Sequence, residues 1–178
     1  MNPLQPNEYP TYYQPYIASV SADVRKEFEQ QKATFFDFIS NIPKEKENYA
    51  YAPEKWTVKE VIGHLLDTER IMAYRALRFA RNDQHELAGF EENEYVANSN
   101  YAARSLQSLA EEFVAIRTSN LFLFNQFTEQ EWSRMGQANQ NSVSVRALLF
   151  ILVGHINHHQ KVLQERYLTS KKTDGCGQ

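Results

Sequence analysis

Apolar residues return every three or four positions along most of this chain, and short polar breaks separate the stretches. The longest clear pattern runs from residue 143 to about residue 168, with Val145, Leu148, Leu149, Leu152, Ile156, Val162 and Leu163 on one side. That spacing marks one face of a helix. An earlier stretch, residues 21–40, places Val24, Phe28, Phe35, Phe38 and Ile39 in the same way and ends at Asn41-Ile42-Pro43. Ser21 is its expected N-cap, with Asp23 in the first turn. A helix from Thr57 to about Arg81 carries Val61, Leu65, Met72, Leu77 and Phe79. Its start is explicit: Thr57 and Glu60 form a capping box, with Trp56 before the cap, placed as a staple against Val61. Residues 101–127 repeat the pattern through Leu106, Leu109, Phe113, Ile116, Leu123 and Phe127.

The breaks have their own character. Residues 44–55 are a charged loop with Tyr49 and Tyr51, and residues 82–100 are polar and irregular. A loop as long as the second is often functional in a compact domain. Thr128 and Glu131 make another capping box, for a short helix bearing Trp132 that Gly136 should stop. Residues 137–141 read as a polar turn, and Ser142 or Ser144 as the cap of the last helix. Residues 1–19 hold four prolines and four tyrosines, expected as an irregular arm packed on the surface; a lid over a pocket is the alternative. Residues 170–178 should fray. No stretch alternates as a strand does. Four long amphipathic helices predict an all-α four-helix bundle, and 178 residues with no internal repeat predict one domain.

Composition narrows the function classes. Hydrophobic residues make up 42% and aromatic residues 13%, as expected of a packed globular protein. The formal net charge is −3 with no basic block, which argues against nucleic acid as a partner. The lone cysteine, Cys176, cannot form an internal disulfide, and this fits a reducing, cytoplasmic compartment. The first residues lack the basic and apolar regions of a signal peptide, and the apolar run 147–153 is too short to span a bilayer.

The candidate chemistry lies on two of the helices. His155 and His159 are four apart, so their rings share one helical face, the one that should be buried. His64 lies on the apolar face of the second helix with Val61, Leu65 and Thr68. Three neutral imidazoles can hold one divalent ion with coordination positions left open, the pattern of a catalytic metal site. Three buried imidazoles with no partner would each leave a polar nitrogen unsatisfied, at ~1–3 kcal/mol apiece. His158 could take the place of His159 on a rotated helix; otherwise it is a rim residue or exposed. His85 reads as solvated. Thr68 and Asp67 follow His64 by one turn and could hydrogen-bond a ligand ring or a metal-bound water. The alternative for Asp67 is a solvated ion pair with Arg70. Glu69 is a candidate general base. Arg104 and Arg117 are candidates for an anionic substrate, with surface charge as the default. Gly63 and Gly154 each precede a candidate ligand, where glycine costs about 1 kcal/mol against alanine, and close helix–helix approach would explain them.

Three segments together resemble the DinB-like (YfiT-like) superfamily: Tyr51-x-Pro53-x-Lys55-Trp56-Thr57-Val58-x-Glu60-Val61-x-Gly63-His64-Leu65-x-Asp67, Thr128-x-x-Glu131-Trp132, and Gly154-His155-x-x-His158-His159. The resemblance implies a bundle of up-down-down-up topology with a long crossover between the second and third helices. It implies a divalent metal, zinc or nickel, on His64, His155 and His159, and frequent homodimers. It implies a small-molecule substrate and, in some relatives, a low-molecular-weight thiol: some are bacillithiol-type S-transferases, others mycothiol-dependent isomerases. Many relatives have no known reaction. On this basis the chain is expected to be a metal-dependent S-transferase. The alternatives are a metal-dependent hydrolase and a non-catalytic metal-binding or stress-response protein. Cys176, in the tail, is not an expected nucleophile.

Overall fold

The computed structural model describes residues 3–169. Four long helices form the bundle: α1 (Val24–Ser40), α2 (Val58–Ala80), α3 (Leu106–Asn125) and α4 (Val145–Val162). The last continues through a π-helical segment, Leu163–Leu168. Two apolar clusters fix the topology. One joins the start of α1 (Val24, Phe28), the ends of α2 and α3 (Phe79, Phe124) and the start of α4 (Val145, Leu148). The other joins the end of α1 (Phe35, Ile39), the starts of α2 and α3 (Val61, Leu109) and the far end of α4 (Ile156, Leu163). The helices therefore run up, down, down, up. Because α2 and α3 run the same way, the chain must return along the whole bundle between them.

The caps show why each helix starts where it does. Asp23, not the expected Ser21, caps α1: its Oδ1 accepts from the Lys26 amide at 3.3 Å. The Ser21 amide instead donates to Glu27. The Thr57–Glu60 box is formed in both directions, at 3.3 and 2.7 Å. The third helix starts at Leu106 rather than at residue 101, because the Ser105 hydroxyl accepts from the Ser108 amide at 3.1 Å. Residues Tyr101–Ala103 form a separate 3-10 turn. Of the two serines before α4, Ser144 is the cap.

Two breaks are more ordered than the pattern suggests. The crossover contains a short helix, Glu92–Ala97. The segment expected as a helix stop and a polar turn is a β-hairpin of β1 (Met135–Ala138) and β2 (Asn141–Ser144). Its turn residues Asn139 and Gln140 have φ of 50° and 60°, as a two-residue type I′ turn requires. Gly136 ends no helix; a Cβ there would lie 2.0 Å from the Phe79 ring. The hairpin also holds the crossover, since the Leu87 amide donates to Gln137 O and the Asn139 amide to Leu87 O, both at 2.9 Å. The N-terminal arm is not irregular throughout: it has 3-10 turns at Pro6–Glu8 and Thr11–Tyr13 and one α turn, Gln14–Ile17. Arg146 Nε donates to Glu8 Oε1 at 2.6 Å and ties the arm to α4.

Between the two apolar clusters lies a polar layer. Arg117 is fully buried and Glu69 is 1% exposed. Gln31 joins them to α4, donating to Val153 O at 3.0 Å and Asn157 Oδ1 at 2.8 Å. Among the described residues, no helix is long and apolar enough to cross a membrane. Residues 170–178, including Cys176, lie outside the described residues.

Candidate metal centre

His64, in the second turn of α2, and His155 and His159, one turn apart near the end of α4, face one another across the bundle. Their ring centroids are 4.6–5.1 Å apart. One ligand nitrogen from each lies within 4.8 Å of the others. His64 Nε2 and His155 Nε2 are 3.1 Å apart. Nitrogens sharing a tetrahedral ion with bonds of about 2.0–2.1 Å would stand ~3.3 Å apart, so this pair is already near ligand spacing. His64 is 4% and His155 7% exposed.

Burial sets the protonation state. It pushes the His64 imidazole down to about 4. It pushes His159 down to about 3, helped by His64 and His158. His155 is held well below the usual range by burial and then by the histidines around it. All three rings are neutral near pH 7 and offer lone pairs rather than charge. The surroundings do not use them up: His159 Nδ1 is buried without a hydrogen-bond partner, and so is Thr68 Oγ1 beside the site. An orphaned ring nitrogen amid converging neutral imidazoles fits a divalent ion that takes imidazole ligands.

Aromatic rings cover the cluster. Trp56 lies 4.8 Å from His64, and Tyr16 of the arm lies 5.5 Å from His155. His158 is exposed, with its ring 5.2 Å from Tyr16 and 5.0 Å from His159. The arm approaches because position 154 is glycine: a Cβ there would lie 2.2 Å from the Tyr16 carbonyl oxygen. At Gly63 a Cβ would lie 2.1 Å from the Tyr101 ring. Neither glycine serves the expected contact between long helices. One admits the arm and the other the crossover.

A cavity of about 250 Å³ opens from His155 and Thr68, under the arm and the crossover. Tyr12, Tyr13 and Tyr16 of the arm form one wall, so the arm does bound a pocket.

Several expected roles go elsewhere. Asp67 makes no ion pair with Arg70; its Oδ1 accepts from the Tyr101 hydroxyl at 2.6 Å, while Arg70 pairs with Glu112. Glu69 is no free base. Arg117 Nε and Nη2 donate to its two oxygens, both at 2.7 Å, and Asn120 adds a bond at 3.1 Å. Arg117 is therefore neither a surface charge nor a substrate clamp, and Arg104 pairs with Glu112. His85 is exposed, beside Asp83.

Glu92 and Arg75 of the cavity lining escape the sequence reading, whereas Tyr16 belongs to the arm for which a lid is the alternative. Burial and neighbouring Glu91 raise the Glu92 carboxyl above its usual range. Arg75 was findable, since eleven residues after His64 is about 20° around the helix, on the same face. Tyr16 and Glu92 carry no periodic signal.

Known proteins share this fold. YfiT from Bacillus subtilis, described as a probable metal-dependent hydrolase with an unusual four-helix bundle topology, superposes with a TM-score of 0.72 at 16% identity, over 83% of this chain and 87% of its own. The DinB-like protein YjoA from Bacillus subtilis gives 0.57 at 20% identity, over 79% and 86%. A mycothiol-dependent maleylpyruvate isomerase gives 0.59 at 16% identity, over 82% of this chain and 61% of that one. No curated protein sequence matches the chain. The family model of the DinB superfamily matches residues 27–163, which take in the four long helices except the first residues of α1 and include all three converging histidines, and the chain belongs to that superfamily.

Proposed function

We propose that this protein is a divalent-metal-dependent enzyme, with the ion on His64, His155 and His159, and that it transfers the sulfur of a low-molecular-weight thiol to an electrophilic small molecule. The observation that carries the proposal is the convergence of three neutral imidazoles, two buried and one half-buried, one with an orphaned nitrogen, with His155 lining a cavity. Such an ion, zinc or nickel, supplies positive charge that lowers the pKa of a thiol or water brought to it. Neutral ligands leave that charge undiminished. Among the described residues the Thr68 hydroxyl has no hydrogen-bond partner, which leaves it to hydrogen-bond the incoming nucleophile. Tyr16 and Trp56 keep bulk water off the rings.

The state of the nearby carboxylates favours the thiol. Arg117 holds both Glu69 oxygens and Tyr101 holds one Asp67 oxygen, so neither is a fully free base for activating water. A thiol with an ordinary pKa of about 8.5 ionises with less help than water at about 15.7. In transfer, the sulfur lone pair forms the new C–S bond. The leaving group departs with its electron pair, and the thiol proton passes to solvent. The hydrolase reading rests on Glu92, the one carboxylate lining the cavity and one with a raised pKa, as a general base. YfiT's description agrees with that reading, and the mycothiol-dependent isomerase agrees with thiol chemistry. A homodimer belongs to the proposal through the family resemblance; sedimentation at monomer mass would reject it.

The test is metal content together with turnover. Untagged protein should carry about one divalent ion per chain, and a folded His155→Ala/His159→Ala variant should carry none. Loaded protein should conjugate monochlorobimane with one of a panel of bacterial thiols and stop on chelation. Ester cleavage without any thiol would move the assignment to a hydrolase. No ion after reloading with zinc and nickel would overturn the enzyme reading and leave a binding protein.

A further inference from the structure

The cavity lined by His155 is also lined by Arg75, a cation with no counter-ion among the described residues. Arg75 lies on α2, on the His64 face, ~16 Å further along the helix. It is 6% exposed. Its Nη2 donates to Ala88 O at 2.9 Å, and its Nη1 lies 3.7 Å from Met72 Sδ. Among the described residues, no carboxylate lies within salt-bridge distance of it. The contrast with Arg117 is direct: that guanidinium is also buried, but Glu69 grips it on two edges. Taking a charge out of water is costly unless a partner repays it. Arg75 lines the same cavity as His155 and Thr68, with the Tyr12 and Tyr13 side chains on the facing arm. Glu92 is on that cavity wall but is not paired with it.

We propose that Arg75 is the specificity residue of this cavity and binds a carboxylate carried at the far end of the ligand whose reacting end lies at the histidines. A guanidinium fork suits a planar carboxylate, which it meets with two parallel hydrogen bonds. The distance along α2 sets the ligand's shape: elongated, with the anion on the order of 10–16 Å from the reacting atom. The inference rests on the metal reading only for where the reacting end lies. The unpaired cation stands apart from it. A purely structural Arg75, pinning the crossover through Ala88 O, would have no preference for a ligand's charge.

The probes are 8-mercaptooctanoate and its uncharged primary amide, titrated calorimetrically into zinc-loaded and zinc-free protein. The parent should bind the carboxylate about tenfold more tightly than the amide. Arg75→Gln should bring the two within about twofold, and Arg75→Lys should retain part of the preference. Equal binding in the parent, no binding of either compound, or a preference that survives in Arg75→Gln would overturn the proposal. The parent's preference is read without any variant, so a variant that fails to fold does not remove the test. If the preference holds but zinc changes neither affinity, Arg75 stands and the metal reading falls.

Discussion

Arg117 of α3 grips Glu69 of α2 at 2.7 Å on both carboxylate oxygens, in a layer where neither side chain meets solvent. The guanidinium also donates to Phe28 O and Gln31 Oε1 on α1 and lies 3.9 Å from the Phe28 ring centroid. Gln31 in turn holds Asn157, midway between His155 and His159. One ion pair thus ties all four helices together one and a half turns from the histidine cluster. Breaking it from either side should be costly: Glu69→Leu strands a buried guanidinium and Arg117→Met a buried carboxylate, each at ~3–5 kcal/mol. Replacing both at once should cost less than the sum of the two, because no charge is left unpaired. Urea unfolding of the three variants reads this. A double variant that loses the full sum would contradict this account.

Gly154 is needed for the arm rather than for a neighbouring helix. Gly154→Ala adds helix propensity worth about 1 kcal/mol. It also places a methyl group 2.2 Å from the Tyr16 carbonyl oxygen. Backbone cannot give way as a side chain can, so the variant should lose ~1–3 kcal/mol. The arm should also become open to limited proteolysis before residue 20. A more stable variant with a protected arm would sink this explanation.

The sequence displays most of this architecture because its signals are local. The Thr57 and Thr128 boxes, the Ser144 cap and the four apolar faces each follow from residues within a few positions of one another. The three histidines converge because two of them share a face one turn apart and the third lies on a facing apolar stripe. What stays hidden depends on partners distant in sequence. Glu69 reads as a free base until Arg117, 48 residues away, is placed beside it. Asp67 reads as a partner for Arg70 until the crossover brings in Tyr101. The hairpin is masked by weak strand formers, Met-Gly-Gln-Ala and Asn-Ser-Val-Ser, and by Gln140 where the turn would favour glycine.

Acid should destabilise the metal-stripped protein over a defined window. The unfolded chain protonates its histidines near pH 6.5. The folded chain holds His64 down to about 4 and His159 down to about 3. Below pH 6.5 the unfolded state therefore binds more protons. Stability is fully present above that pH and falls as pH drops toward 4 and 3, by at most ~1.4 kcal/mol per pH unit for each buried ring. Urea midpoints between pH 8 and pH 4 measure the slope. Replacing His64 and His159 with asparagine should flatten it. A slope unchanged by those substitutions would place the acid sensitivity elsewhere.

His158 and His159 are neighbours, and only one of them faces His64. The His159 ring is 5.1 Å from that of His64 and has a buried nitrogen without a partner. His158 is exposed and touches the cluster only from outside. Removing an outer partner typically weakens metal binding ~10–100-fold, and removing a ligand should weaken it more. His158→Ala should stay within that outer range and His159→Ala should exceed it, measured as zinc competition against a chromogenic chelator. Thermal unfolding with and without zinc gives a second reading, since an ion that binds only the folded chain raises its stability. Zinc should therefore still stabilise His158→Ala, by less than it does the parent, and leave His159→Ala nearly unmoved. The reverse pattern would transfer the ligand role to His158 and require α4 to rotate when the ion binds.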